Sequence, residues 1–384
     1  MSHIDVISNP FHDNRYTARI NSDECKRFHQ SFPDYAQTPL IDLDDYSKEL
    51  NLNSFQIKDE SKRFKLNAFK SLGASYAMAK IIFSKTANDQ TELEFNSVIK
   101  QSDAIKGMTF ATATDGNHGR AVAWCAEKFG CKAIVFLPKD TSRHRVEAIE
   151  SHGAKAFVTN LNYDETVEYA AKMSEENNWI LIQDTSWVGY ESIPRDIMIG
   201  YQTIIHELQD SHFNWPTHVV MQAGVGSFAA SIFDAFSSID RPRPKFILVE
   251  PSGAACYFQS IKIGDGNPHS IEELDTQMAG LCCGTPSILA WDIIKEVTDF
   301  FAVCDDSVAF ESMMKLSRVK KPVQTIISGE SGAVTIGFIE KICNDKKYSE
   351  YFDLMGLDES SNVFCISTEG DTNPDLYNRV VNDQ

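Results

Sequence analysis

The chain of 384 residues carries 54 acidic against 36 basic side chains, a formal net charge of −18, with no basic stripe to offset repulsion from a phosphate backbone, so nucleic acid is excluded as a partner. A hydrophobic content of 42%, with 24 Phe and 5 Trp, excludes disorder and supports large cores, in two globular units or one large one. Neither the opening "MSHIDVISNPFHDNRY" nor any later window has the apolar run of a signal peptide or a membrane helix, so a soluble, cytoplasmic protein with no membrane contact is expected.

In chain order, the first chemical signal is "LNAFKSLGASY" (66–76), which places Lys70 at the head of an apolar, helix-forming run. A lysine among apolar groups is expected to have its pKa lowered by desolvation, which suits an amine that forms a Schiff base. Taken alone, the same residue reads as a surface lysine at a helix start. Next comes "GMTFATAT" (107–114) as a strand with a helix over 117–129. "KAIVFLP" (132–138) follows with a helix near 142–152, then "AKAFVTN" (154–160) with a helix near 163–177, and "WILIQD" (179–184) closes the series. Continuously apolar strands with helical crossovers imply a parallel sheet buried on both faces. The long helical pattern "IPRDIMIGYQTIIHELQD" leads to a second such unit, with strands "THVVMQAG" (217–224), "KFILVEP" (245–251), "FFAVCD" (300–305) and "NVFCIST" (362–368), and helices from about 227, 306 and 331.

Three strand-to-helix turns carry polar groups where open parallel sheets place their ligands. "QAGVGSFAAS" (222–231) aims backbone N–H groups and a helix N-terminus at one spot, where a phosphate belongs. Read as G-x-G-x-x-A with Glu250 ending the next strand, it also matches a dinucleotide fingerprint and admits a nucleotide-dependent oxidoreductase, which leaves Lys70, Asn117 and Thr368 without roles. "TATDGNHGR" (112–120) groups Asp115, Gly116, Asn117 and His118; helix capping accounts for one of these, not for the cluster. His118 reads equally as a ligand contact or a helix-start residue. "CISTEGDTNP" (365–374) ends a strand with Ser367 and Thr368. Three polar strand ends and one lysine point to a small phosphorylated cofactor with an aldehyde. The nine cysteines contain no C-x-x-C pair, which argues against a zinc site; buried free thiols are expected, although Cys282 or Cys283 could meet Cys256.

The motifs "NAFKSLGASY", "TATDGNHGR", "QDTSWVGY", "QAGVGSFAA", "VEP", "GESGA" and "STEGDT", in that order, resemble the diaminopropionate ammonia-lyases, which are fold-type II (tryptophan synthase β-like) pyridoxal phosphate enzymes. The resemblance implies an α/β fold of two packed domains, each an open, mostly parallel sheet flanked by helices, with the cofactor in the cleft between them. Residues 1–80 and 200–384 would form the large cofactor-binding domain and 81–199 the smaller one. It further implies that Lys70 carries the cofactor as a Schiff base and serves as a base. Gly224, Val225, Gly226 and Ser227 would cradle the phosphate, Asn117 would meet the phenolic oxygen, and Thr368, with Ser367 as competitor, the pyridine nitrogen. No metal is implied, and a homodimer is. The reaction implied is elimination of ammonia from 2,3-diaminopropionate, the L- and also the D-isomer, to pyruvate. Asp115 would be the second acid or base, because a carboxylate can bind a β-ammonium where serine and threonine dehydratases of the same fold, the alternative reading, typically have a small hydroxyl residue. Asp184, which ends "WILIQD", is expected either to contact the substrate amine or to cap the turn that follows it.

Overall fold

The computed structural model describes residues 3–86, 92–100, 105–139, 141–209, 211–319 and 326–382. Among these, β1 (Ile4–Ser8), β2 (Leu40–Asp42), β3 (Ser54–Asp59), β4 (Thr109–Ala113), β5 (Lys132–Leu137), β6 (Lys155–Val158), β7 (Ile180–Leu181), β8 (His218–Gln222), β9 (Lys245–Pro251), β10 (Phe300–Cys304) and β11 (Asn362–Ser367) form two sheets. The larger runs in the order β1-β10-β9-β8-β11-β3-β2. It is parallel except at its edges, where β1 and β2 pair antiparallel. The smaller, β6-β5-β4-β7, is wholly parallel. Every residue of β8 and β10 is buried, as expected for strands covered by helices on both faces.

Helices Asn117–Phe129 and Tyr163–Asn177 fall where their periodicity places them. The long helical pattern from Ile193 is split at Gln202 into Ser192–Tyr201 and Thr203–Leu208, and its last residue, Asp210, lies outside the described residues. The helix Ser71–Thr86 crosses Ser192–Tyr201 at a glycine pair: a Cβ on Gly200 would stand 2.5 Å from the Leu72 carbonyl oxygen and 2.9 Å from Gly73 Cα. That contact fixes the start of the helix that follows Lys70.

β7 is shorter than the expected 179–184. The side-chain Oε1 of Gln183 takes the Ala113 N–H at 3.0 Å, a backbone donor that a longer strand would have paired, and Asp184 is released from the sheet. The three N-terminal strands carry no clear sequence signal, and β3 shows why. "SFQIKD" places Gln56, Lys58 and Asp59 in the interior. Lys58 is fully buried, with its Nζ 2.5 Å from Glu207 Oε2, and Arg63 bridges Glu207 and Glu60 beside it. Burial of these charges is tolerated because each is paired.

Candidate active site

The carboxyl ends of β8 and β11 face those of β4 and β7 across a cavity. Lys70, Asp115, Asn117, Asp184, Gly224, Val225, Gly226, Ser227 and Thr368 all line it. Ser367 turns away, its hydroxyl 2.8 Å from Ser328 Oγ.

Lys70 arrives on a strained approach. Phe64, Lys65 and Asn67 have φ values of 48°, 62° and 58°, a left-handed run of non-glycine residues that persists only when its surroundings hold it. They do: Gly370 N donates to Asn67 O at 2.9 Å, Asn67 Nδ2 to Asp371 Oδ1 at 3.2 Å, and Phe69 N to Thr368 O at 3.2 Å. The lysine loop and the end of β11 are thus one unit.

Lys70 Nζ lies 2.6 Å from Asp184 Oδ2. This corrects the expected direction of its pKa. Burial alone would lower it, but the Asp184 carboxylate outweighs burial and holds the ammonium well above the usual lysine range. The same contact acts on Asp184, whose burial would raise its pKa; His118 and Lys70 together hold it at about 2. Asp184 therefore faces Lys70 rather than capping the turn behind it. His118 is buried, with Nε2 2.8 Å from the Ile182 carbonyl oxygen and Nδ1 3.7 Å from Asp184 Oδ2. Burial, offset in part by Asp184, depresses its pKa, and it stands behind Asp184.

The glycine loop runs from β8 into the buried helix Ser227–Ser237, whose first turn leaves N–H groups without intrahelical acceptors. Ser227 contributes its backbone here, since its hydroxyl donates to the Asp184 carbonyl at 2.6 Å. Gly226 has φ 91°, and a Cβ there would meet the Tyr257 hydroxyl oxygen at 2.1 Å. Gly226→Asp is expected to weaken cofactor binding by at least about a hundredfold, through strain, the clash and a negative charge at the helix end. Equilibrium titration of the apoprotein with cofactor checks this, and parental affinity would mean that the loop has another task.

On the opposite wall, Asn117 Nδ2 donates to Glu369 Oε2 at 2.6 Å, and Thr368 Oγ1 accepts from Gln222 Nε2 at 3.0 Å. Arg145 Nη1 donates to the Asp115 carbonyl at 3.1 Å and its Nη2 lies 3.6 Å from Glu330, which ties the Asp115 turn to the larger sheet's helices. Sequence reading missed Gln222, Glu369, Tyr163 and Ser331, all of which line the cavity. Position was the available signal for two of them: Gln222 precedes the glycine loop and Glu369 follows Thr368.

Two other expectations are decided here. Glu250 is no ribose ligand: its two carboxylate oxygens accept Tyr257 N at 2.9 Å and Phe258 N at 2.7 Å, so it is spent at the start of helix Cys256–Ile263, and burial lifts its pKa to about 8. The nucleotide reading loses its acid. Cys256, Cys282 and Cys283 are free thiols, as are the other six cysteines. Among the described residues no group of three or more His, Cys, Asp or Glu side chains could hold a metal ion. A phosphorylated aldehyde fits what is present: a glycine loop packed too closely on its far side to carry side chains, a helix N-terminus, and a lysine amine in the same cavity.

Comparison with known proteins agrees with this geometry. The model of the family described as pyridoxal-phosphate dependent enzyme matches residues 32–350. A diaminopropionate ammonia-lyase of Salmonella typhimurium is 45% identical over 93% of this chain and 91% of its own. A crystal structure of the Escherichia coli diaminopropionate ammonia lyase in complex with an aminoacrylate-PLP azomethine reaction intermediate superposes with TM-score 0.89 at 37% identity, covering 99% of this chain and 97% of that one. The same enzyme in complex with D-serine gives TM-score 0.91 at 36% identity over the same shares.

Proposed function

The chain belongs to the pyridoxal-phosphate-dependent enzymes and, within them, to the diaminopropionate ammonia-lyases, and from that membership we propose that it converts 2,3-diaminopropionate and water to pyruvate and two molecules of ammonia. The observation that carries the substrate is the charge of the cavity: Asp115, Asp184 and Glu369 against Lys70, the single lysine lining it among the described residues. A substrate with a second ammonium balances that wall, and a hydroxy amino acid does not.

Pyridoxal phosphate, when bound, supplies an aldehyde for the substrate amine and a ring that draws electrons from the α-carbon. The chain's own residues do the rest. The amides from Gly224 to Ser227 hold the phosphate, Asn117 orients the phenolic oxygen, and Thr368 meets the ring nitrogen. Lys70 anchors the cofactor and takes the α-proton of the L-isomer. Its raised pKa opposes that task until the incoming ammonium draws Asp184 away, so substrate binding itself frees the base. Asp115 binds the β-ammonium, returns a proton to the leaving amine, and serves the D-isomer; the D-serine complex of the Escherichia coli relative supports access by D-amino acids.

Residues 1–80 with 200–384, and 81–199, are the two domains of this reading. The enzyme works in the cytoplasm as a homodimer, in keeping with the family, and among the described residues no helix is long and apolar enough to cross a membrane. The test is a comparison of kcat/KM for 2,3-diaminopropionate, serine and threonine. Preference for the diamino acid by at least about tenfold to a hundredfold, the worth of one charge-assisted hydrogen bond, is expected. Equal or better turnover of serine or threonine would make the protein a dehydratase.

A further inference from the structure

Gln222, the last residue of β8, is buried and lines the cavity. Its Nε2 lies 2.7 Å from the Ser331 carbonyl oxygen, 3.3 Å from that of Ile366 and 3.0 Å from Thr368 Oγ1. Carbonyl oxygens only accept, so the amide can be oriented in one way, with its NH2 toward all three. That orientation holds although it leaves Gln222 Oε1 buried without a partner among the described residues. The Thr368 hydroxyl is therefore an acceptor on its Gln222 side. Its own hydrogen finds no protein acceptor among the described residues and is left for the cavity.

We propose that Gln222 is a positioning residue that fixes the Thr368 hydroxyl as a hydrogen-bond donor into the cavity, so that the site accepts the cofactor with its ring nitrogen unprotonated. The inference rests on the reading of Thr368 as the ring-nitrogen contact. A protonated nitrogen would bring a second donor against that hydroxyl, which could accept it on its second lone pair only by leaving its own hydrogen without an acceptor, since Gln222 presents amide hydrogens on one side and no other protein acceptor stands within reach among the described residues. An unprotonated ring draws electrons less strongly, which favours expulsion of the β-amine over return of the proton to the cofactor. Gln222 thus selects the reaction without touching the reacting atoms.

The experiment loads the apoprotein with pyridoxal phosphate labelled with ¹⁵N in the ring and follows the nitrogen resonance between about pH 6 and 9. In the parent it is expected at an unprotonated, hydrogen-bonded position, without titration, and with a solvent deuterium isotope shift from the Thr368 hydroxyl. Gln222→Met and Thr368→Val are expected to move it in the same direction, the double variant no further than either single one, and Thr368→Ser to leave it in place. Cofactor affinity should fall about tenfold in Gln222→Met, the scale of one lost hydrogen bond. If Thr368→Val shifts the resonance and Gln222→Met does not, the role of Gln222 is overturned while the ring contact stands. If Thr368→Val leaves it unmoved, the contact itself is wrong and the inference falls with it. Should Gln222→Met fail to fold, the parent alone decides: a protonated nitrogen at neutral pH, or no isotope shift, overturns the proposal.

Discussion

Lys70→Ala is expected to abolish the visible absorption of the cofactor-loaded protein and to lower turnover by at least about 10³-fold, because on the proposed reading one substitution removes both the covalent anchor and the base. The chain should still fold, although less stably. Asp184 would keep His118 Nδ1 at 3.7 Å and a long contact from Gln183 Nε2 at 3.5 Å in place of the ammonium now 2.6 Å away. Stranding one member of a buried pair costs up to roughly 3–5 kcal/mol. The double variant Lys70→Ala/Asp184→Asn should recover much of that stability and none of the turnover. Acid titration adds a second check. Asp184 is held at about 2, below its unfolded value, so its contribution is present above the unfolded pKa and lost as the pH falls through about 2. Without Lys70 that loss should begin at higher pH. An unchanged spectrum and unchanged turnover in Lys70→Ala would remove Lys70 from the chemistry.

The same pair marks the limit of what the sequence discloses. Strand-turn-helix patterns are local, so "TATDGNHGR" and "QAGVGSFAAS" announce both their elements and their chemistry within ten residues, and helices such as Asn117–Phe129 fall where their periodicity says. The direction of the Lys70 pKa is not local: its sequence neighbours are apolar, but the group that decides lies 114 positions away. β3 was hidden for the same reason, since Lys58 looks like a surface residue until Glu207, 149 positions on, neutralises it. The choice between Ser367 and Thr368 needed the strand's end in space. Ser367 is still paired with Asp59 in the sheet and bonds Ser328, and the chain turns toward the cavity one residue later.

A base on one face of a flat cofactor can reach the α-hydrogen of only one enantiomer without reorienting the substrate. Lys70 is tied through its own loop to the end of β11 and pairs with Asp184, so these two groups act together. Asp115 comes from a different element, the turn after β4, two residues before Asn117, and its backbone is held by Arg145. Its carboxylate reaches toward the segment beyond the glycine loop, with Oδ2 3.9 Å from where a Cβ on Gly280 would stand. Two carboxylates in one cavity thus have different partners: Asp184 is the counter-ion of the lysine, while Asp115 is available to a substrate. Asp115→Asn keeps the shape of the side chain and its place in the turn but cannot take a proton. The parent is therefore expected to release pyruvate from both D- and L-2,3-diaminopropionate. Asp115→Asn should lose the D-reaction by about 10²–10⁴-fold, the usual worth of a positioned base, and the L-reaction by roughly tenfold through weaker hold on the β-ammonium. Asp184→Asn should do the reverse, since it removes the carboxylate that holds the Lys70 amine in place and so misplaces the base proposed for the L-isomer. Pyruvate assays with each enantiomer on the parent and both variants decide the matter. Strict L-specificity in the parent, or equal loss of both reactions in Asp115→Asn, would defeat the two-face assignment and leave a lyase that works from the lysine side alone.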